Sequence, residues 1–341
     1  MRSAELDALI DDVGVARASA DRHVAGVLFT YRCSIRCRHC LFGCRTDLPD
    51  AVMFPRQLAE VLALLHETGR VVHVAGGEAM IHWETLAEGL RLAHLDGNAP
   101  HFIETNCSFA TDDRVVESRL SFLAEHGVRG ILASADPYHQ EMVPPERFLR
   151  VRAAACRIFG ERNFYGSRAP ADEIMRLPQV TADETALRAH VRARPPVMVG
   201  TAQRELARYL DSFSSADPDL PMAGWRHQHD LPGCLEQFRT DTLWELHVDP
   251  YGNIQTNCGI VLGNTDTIRP AELLAQGPET SNRFVERLCS NGPFGLALLA
   301  RDEYGFPLPT MVTQGCELCF LARRHLRQFH PETFGPAEVY A

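Results

Sequence analysis

Short apolar runs alternate with amphipathic stretches through the first two hundred residues, which predicts an α/β fold of βα units, a parallel sheet or barrel. A change of texture after Ser214 adds a smaller, β-containing appendix. Two clusters of cysteine, one early and one in the last third, mark where the chemistry sits. At 341 residues the chain can bury one large domain together with such an appendix.

The elements follow in order. Strands are expected at Gly26 to Thr30, Val71 to Ala75, His101 to Glu104, Gly130 to Ser134 and Pro196 to Val199. Between them, 3.6-residue periodicity predicts helices at Phe54 to Glu67, Trp83 to His94, Asp113 to His126 and Glu146 to Phe159, with another at Arg204 to Phe213. Gly160 to Ala193 shows no clear strand. SSADPDLPMAG then reads as a linker, and WELHVDPYGNIQTNC as two alternating runs around a Pro250-Tyr251-Gly252-Asn253 hairpin turn.

Composition excludes several function classes. The chain is 45% apolar and 23% charged, with no apolar run near the roughly 20 residues of a membrane helix, so no membrane partner is expected. A net charge of -10 supplies no basic field for a phosphate backbone, so no nucleic-acid partner is expected either. MRSAELDALIDDVG lacks the apolar core of a secretory signal, which predicts a cytoplasmic protein. All 34 basic residues are arginine, and this excludes a Schiff-base lysine, a pyridoxal-phosphate site and a Walker A loop. Eleven cysteines in a reducing compartment point to metal or catalysis rather than to disulfides.

Strand one runs into TYRCSIRCRHC, which places Cys33, Cys37 and Cys40 in a C-x3-C-x2-C spacing on one loop. Three thiolates hold three irons of a [4Fe-4S] cube and leave the fourth open for chemistry. Zinc on the same cysteines with His39 is the alternative.

This loop resembles that of the radical S-adenosylmethionine (SAM) enzymes, and the resemblance continues in chain order over residues 24–213. VVHVAGGEAM supplies Gly76, Gly77 and Glu78; IETNCS supplies Thr105 and Asn106; LASADPYH supplies Ser134 and Asp136. The resemblance implies a partial (β/α)6 barrel after an N-terminal extension of residues 1–23. It further implies that the open iron is chelated by SAM, whose amino group Glu78 accepts after two glycines that allow close backbone approach. Thr105, Asn106, Ser134 and Asp136 would meet the ribose or methionine moiety, and His39 would pack on adenine. A structural glutamate, and polar groups that merely satisfy strand ends, are the plainer readings of these positions.

Cys234 and Cys258 flank the hairpin and are closed by the C-x2-C pair Cys316 and Cys319. This resembles the twitch domain, a shortened relative of the SPASM appendix, and implies a second, fully ligated [4Fe-4S] cluster in residues 234–341 after a linker at 214–233. Structural zinc is the alternative. A helix expected at Leu321 to Phe329 carries Arg323, Arg324 and Arg327 on a solvated or cluster-facing side.

Four cysteines are spare. Cys156 reads as a small core residue and Cys44 as packing or a substitute ligand. Cys107 stands where the family commonly has glycine, at the expected mouth of the site. Cys289, in the region from which related aminoglycoside epimerases are thought to draw a thiol, is the first choice as hydrogen-atom donor, with Cys107 second. The expectation is therefore an epimerase acting on a sugar carbon of an antibiotic or oligosaccharide, served by an external one-electron reductase such as flavodoxin or ferredoxin. Dehydrogenation, as in similar aminoglycoside dehydrogenases, is the alternative outcome. Peptide modification is disfavoured, because the first 25 residues are too short for a leader-recognition domain. A non-catalytic electron carrier or zinc scaffold would not need an open iron beside Gly76-Gly77-Glu78.

Overall fold

The structure, a computed structural model, describes residues 3–217, 220, 243 and 245–340. It divides into two compact units: Met1–Arg36, Arg45–Glu184 and His247–Gly252 form the first, and Cys37–Cys44, Thr185–Leu246 and Asn253–Ala341 the second.

The first unit is built on parallel strands β1 (Val24–Leu28), β2 (Val71–Ala75), β3 (Phe102–Thr105), β4 (Gly130–Ala133) and β5 (Phe164–Gly166). Their order is β5-β4-β3-β2-β1, and the His247–Val248 end of β7 (Glu245–Val248) follows beside β1. Register is set by pairs such as Gly26 with His73, Ile103 with Ile131 and Leu132 with Tyr165. Every residue of VAGVL and VVHVA is buried, as central parallel strands covered on both faces require. Helices α3 (Pro55–His66), α4 (Trp83–Leu95), α5 (Asp113–Glu125) and α7 (Pro145–Phe159) supply the cover. Their apolar stripes, with Leu58, Leu62, Leu86, Leu90, Leu120 and Phe148 fully buried, pack on one another and on the strands. A short helix α6 (Pro137–Gln140) follows β4, and α8 (Ala171–Ala182) ends the unit's helices.

Residues 4–22 form α1 (Ala4–Val13) and α2 (Val15–Arg22) and are part of this unit. The Val15 amide donates to Asn163 Oδ1 at 3.2 Å, and a Cβ at Gly14 would fall 2.2 Å from the Arg162 carbonyl. The turn after β7 forms one residue earlier than expected, over Asp249 to Gly252: the Gly252 amide donates to the Asp249 carbonyl at 3.0 Å, Asp249 Oδ1 accepts from the Tyr251 amide at 2.9 Å, and Gly252 has φ +78.

The second unit holds α9 (Glu184–Ala193), α10 (Gly200–Glu205), β6 (Phe213–Ser214) and the antiparallel pair β8 (Asn253–Thr256) and β9 (Val261–Asn264). It continues with α11 (Pro270–Gln276), α12 (Arg283–Tyr304), β10 (Met311–Val312), α13 (Gly315–Leu326) and α14 (Ala337–Tyr340). Helix α12 is kinked at Gly292, ahead of Pro293, and packs on α13. No described helix is long and apolar enough to cross a membrane.

Three expectations are corrected. A strand, β5, does lie in the segment that showed none; FYG is too short for a period-2 signal, and its pairing with β4 defines it. Pro196 to Val199 is not a strand: two successive prolines lack N–H donors, Gln314 accepts from the Met198 amide and donates to the Pro196 carbonyl, and the Val199 amide turns back to the Val197 carbonyl at 2.8 Å. The helix expected at Arg204 to Phe213 instead ends at Glu205 and gives way to a 3-10 turn, Ala207–Tyr209, because the three-residue spacing of buried Leu206 and Tyr209 suits either helix.

Candidate cofactor site

In the first unit the pairing of β1 with β2 continues past both strands. The Phe29 amide donates to the Ala75 carbonyl at 2.9 Å, the Gly77 amide to the Thr30 carbonyl at 2.7 Å, and the Glu78 amide to the Arg32 carbonyl at 3.2 Å. A Cβ at Gly77 would stand 2.0 Å from the Arg32 carbonyl oxygen, and Gly76 has φ +135 with the Thr30 carbonyl 2.7 Å from its Cβ position. Only glycine fits there, so the backbone of Gly76-Gly77 lies directly against the segment that delivers Cys33. Cys33 is buried, and its amide donates to the Arg45 carbonyl at 3.1 Å.

Glu78 is 2% exposed. Its Oε1 accepts from the Met80 amide at 3.2 Å and the Thr105 hydroxyl at 2.9 Å, while Oε2 accepts from the Asn106 amide at 2.7 Å. Burial pushes its pKa up to about 7, against the opposing pull of those three hydrogen bonds and of His139. Asn106 then reaches the cysteine loop, its Nδ2 donating to Cys33 Sγ at 3.4 Å and to Ser34 Oγ at 3.1 Å. A chain of contacts from Glu78 through Thr105 and Asn106 to Cys33 joins three of the sequence motifs. The Ser34 and Ser108 hydroxyls, 2.6 Å apart, extend it; the sequence reading passed them over although each follows a cysteine within a motif.

Cys107 is fully buried rather than open at the mouth of the site, because its backbone turns back and the amide donates to Thr105 Oγ1 at 3.0 Å. Its φ of +67 lies in the left-handed region, which accounts for glycine being at home at this position. Burial, with Glu78 adding to it, raises its thiol pKa well above the usual range. Ser134 is half-buried, and its amide donates to the Thr105 carbonyl at 3.0 Å. Asp136 caps α6, with Oδ1 accepting from the Tyr138 and His139 amides at 3.0 Å and Oδ2 lying 2.5 Å from His139 Nδ1.

In the second unit, Cys37 is buried while His39 and Cys40 are half-buried. The Cys40 amide donates to the Cys37 carbonyl at 3.3 Å. The turn is seated on α10: the Thr201 amide donates to the Cys40 carbonyl at 3.0 Å, and a Cβ at Gly200 would meet the Cys40 and Leu41 carbonyls at 2.4 Å. Cys44 is buried, its amide donating to Cys40 Sγ at 3.3 Å.

Of the second cysteine set, Cys234 lies outside the described residues. Cys258 follows β8, with its Sγ 3.1 Å from Thr256 Oγ1. The expected helix starts earlier than Leu321, at Gly315, so Cys316 and Cys319 occupy the first turns of α13. Arg324 is exposed as expected, but Arg323 is not solvated: it is 1% exposed and donates to the Cys258 carbonyl at 2.9 Å. Burial pushes the Cys319 thiol up to about 11, against the pull of Arg323. Cys289, on α12, is half-buried, and burial followed by Glu279 pushes its thiol up to about 11. Cys156 is half-buried on α7 rather than in the core, one position beyond the buried Ala154-Ala155 stripe.

Residues 27–185 match the radical SAM superfamily, so the chain carries a radical SAM domain over that segment. Such a domain implies a [4Fe-4S] cluster and SAM, a small-molecule substrate and an electron donor. Among solved structures, BtrN in complex with AdoMet and 2-DOIA is similar at 14% identity with a TM-score of 0.44, covering 80% of this chain and 89% of that one. No curated protein matches. The donor chemistry fits the implied groups: a buried sulfur that already receives an N–H, a buried carboxylate one Thr-Asn step away, and backbone that only glycine can supply.

Proposed function

We propose that this chain is a radical SAM epimerase acting on a sugar carbon of an antibiotic or oligosaccharide. When bound, the cluster and SAM supply reductive cleavage of SAM and hydrogen-atom abstraction by the 5'-deoxyadenosyl radical. In this reading Cys33, Cys37 and Cys40 hold the first cluster, and Gly76 and Gly77 bring the backbone close. Glu78, with Thr105 and Asn106 fixing its carboxylate, accepts the SAM amino group. Ser134 and Asp136 offer polar partners to the ribose or methionine moiety, and His39 packs on adenine. Cys234, Cys258, Cys316 and Cys319 hold an auxiliary cluster in residues 234–341, beyond a barrel at 24–213. Flavodoxin or ferredoxin is the proposed electron donor.

The observation that carries the SAM site is the hydrogen-bond chain from Glu78 to Cys33. What supports epimerisation is Cys289, a half-buried thiol kept protonated at neutral pH and so able to return a hydrogen atom. Dehydrogenation is the second reading, favoured by the buried cation among Cys258, Cys316 and Cys319, a setting suited to an electron-accepting centre. Turnover in heavy water separates the two. An epimer keeps the substrate's mass in ordinary water and gains one deuterium in heavy water, whereas a dehydrogenase product is lighter by two hydrogens and takes up no solvent deuterium. Loss of two mass units in a product whose formation is indifferent to Cys289→Ala and Cys107→Ala overturns the epimerase reading.

A further inference from the structure

Arg323 heads the fully buried side chains by size among the described residues. A guanidinium is permanently charged, and holding one out of water costs several kcal/mol unless anions or well-placed acceptors meet it. Among the described residues no carboxylate pairs with it. Its hydrogen-bond partners are the Cys258 carbonyl at 2.9 Å and the Tyr340 hydroxyl at 3.4 Å, with the Cys319 sulfur as a further acceptor, and its buried Nε has none. The side chains gathered around it come from each element packed against it: Cys316 and Cys319 from α13, Cys258 from just beyond β8 and Tyr340 from α14. The stacked rings of Phe320 and Tyr340, 5.3 Å apart, lie beside the guanidinium, whose carbon is 5.6 and 5.8 Å from their centroids. Neutral thiols and a neutral phenol would leave the cation uncompensated, while thiolates bound to metal would compensate it.

We propose that Arg323 is the built-in counter-cation of a thiolate-held metal centre at Cys258, Cys316 and Cys319, and that it raises the reduction potential of the [4Fe-4S] cluster there. The proposal rests on the auxiliary-cluster reading given above. One electron entering the cluster makes it more negative by one charge, with no bond made or broken and no proton taken up, so a fixed positive charge alongside stabilises the reduced form more than the oxidised one. Arg323 is thus a tuning residue, and its charge rather than its packing carries the effect.

The test uses the full chain with Cys33, Cys37 and Cys40 replaced by alanine, reconstituted anaerobically with iron and sulfide and titrated with dithionite as electron source. R323M should retain about four irons per chain. At a fixed solution potential its reduced-to-oxidised ratio should fall at least tenfold, equivalent to about 59 mV for one electron. R323K, which keeps the charge, should stay within threefold of the parent. Retained iron with an unchanged potential in R323M overturns the proposal. Should R323M hold no iron, R323K must hold it at a near-parental potential, and loss of iron from both also overturns the proposal. A parent that takes up no iron, or zinc alone, refutes the auxiliary cluster itself with Arg323 intact.

Discussion

Glu78 is a carboxyl group whose proton decides what it can do. At about pH 7 it is half ionised in the free protein, and the carboxylate accepts the N–H groups of the SAM amino group more strongly than the protonated acid does. On the proposed role, SAM should bind more tightly as pH rises from 6 to 8, with up to about a tenfold loss per unit below pH 7. Calorimetric titration with SAM would show this slope, and E78Q should flatten it while weakening binding by about 1.5 to 3 kcal/mol. The same group acts on folding in the opposite sense. The unfolded side chain loses its proton near 4.5 while the folded one keeps it to about 7, so the folded state binds more protons between those values and stability falls as pH rises across the window. The loss approaches about 3 kcal/mol, and E78Q should remove it in denaturant titrations of the cofactor-free protein. Cys107 offers a second test at this scale. With φ +67, C107G should be more stable than C107A by about 1 kcal/mol, the reverse of the usual order, because both lose the thiol and only glycine relieves the left-handed backbone.

At the scale of elements, the site depends on how two strand ends lie together. In Gly77→Ala the new methyl would collide with the Arg32 carbonyl, a backbone atom with no rotamer to yield. The strand ends must part, at a cost of about 1 to 3 kcal/mol in stability, and iron uptake by the Cys33 loop should drop; iron analysis with thermal melts would register both. Helices α3, α4, α5 and α7 were legible within a residue or two because their apolar stripes repeat over three turns or more. β5 and the Pro196 to Val199 segment were not, since a three-residue strand has almost no pattern and an apolar run bonded by a distant glutamine side chain looks like a strand from sequence. Gly76, Gly77, Glu78 and Asn106 lie just beyond the ends of β2 and β3 and Thr105 ends β3, where the strand pattern puts them, but it was the resemblance to radical SAM enzymes and not periodicity that singled them out. Arg323 was not legible, because the burial of one arginine among three on a helix depends on Cys258 and Tyr340, which lie far away in sequence.

For the molecule as a whole, two cysteine sets predict about eight irons and eight sulfides per chain after anaerobic reconstitution, falling by half when Cys33, Cys37 and Cys40 are replaced together. Colorimetric iron and sulfide assays decide it, and stoichiometric zinc in the triple variant would count against the second cluster. The path of the chain bears on a different matter. It passes from one unit to the other after Arg36, Cys44, Glu184, Leu246 and Gly252, and the Cys37–Cys44 turn rests on α10, which lies more than a hundred and fifty residues further along. Neither unit is a continuous stretch of gene, so a stop codon or a recombination point anywhere between them removes parts of both. A single recombination breakpoint therefore cannot exchange one unit and leave the other whole, because the two share the chain in alternating pieces.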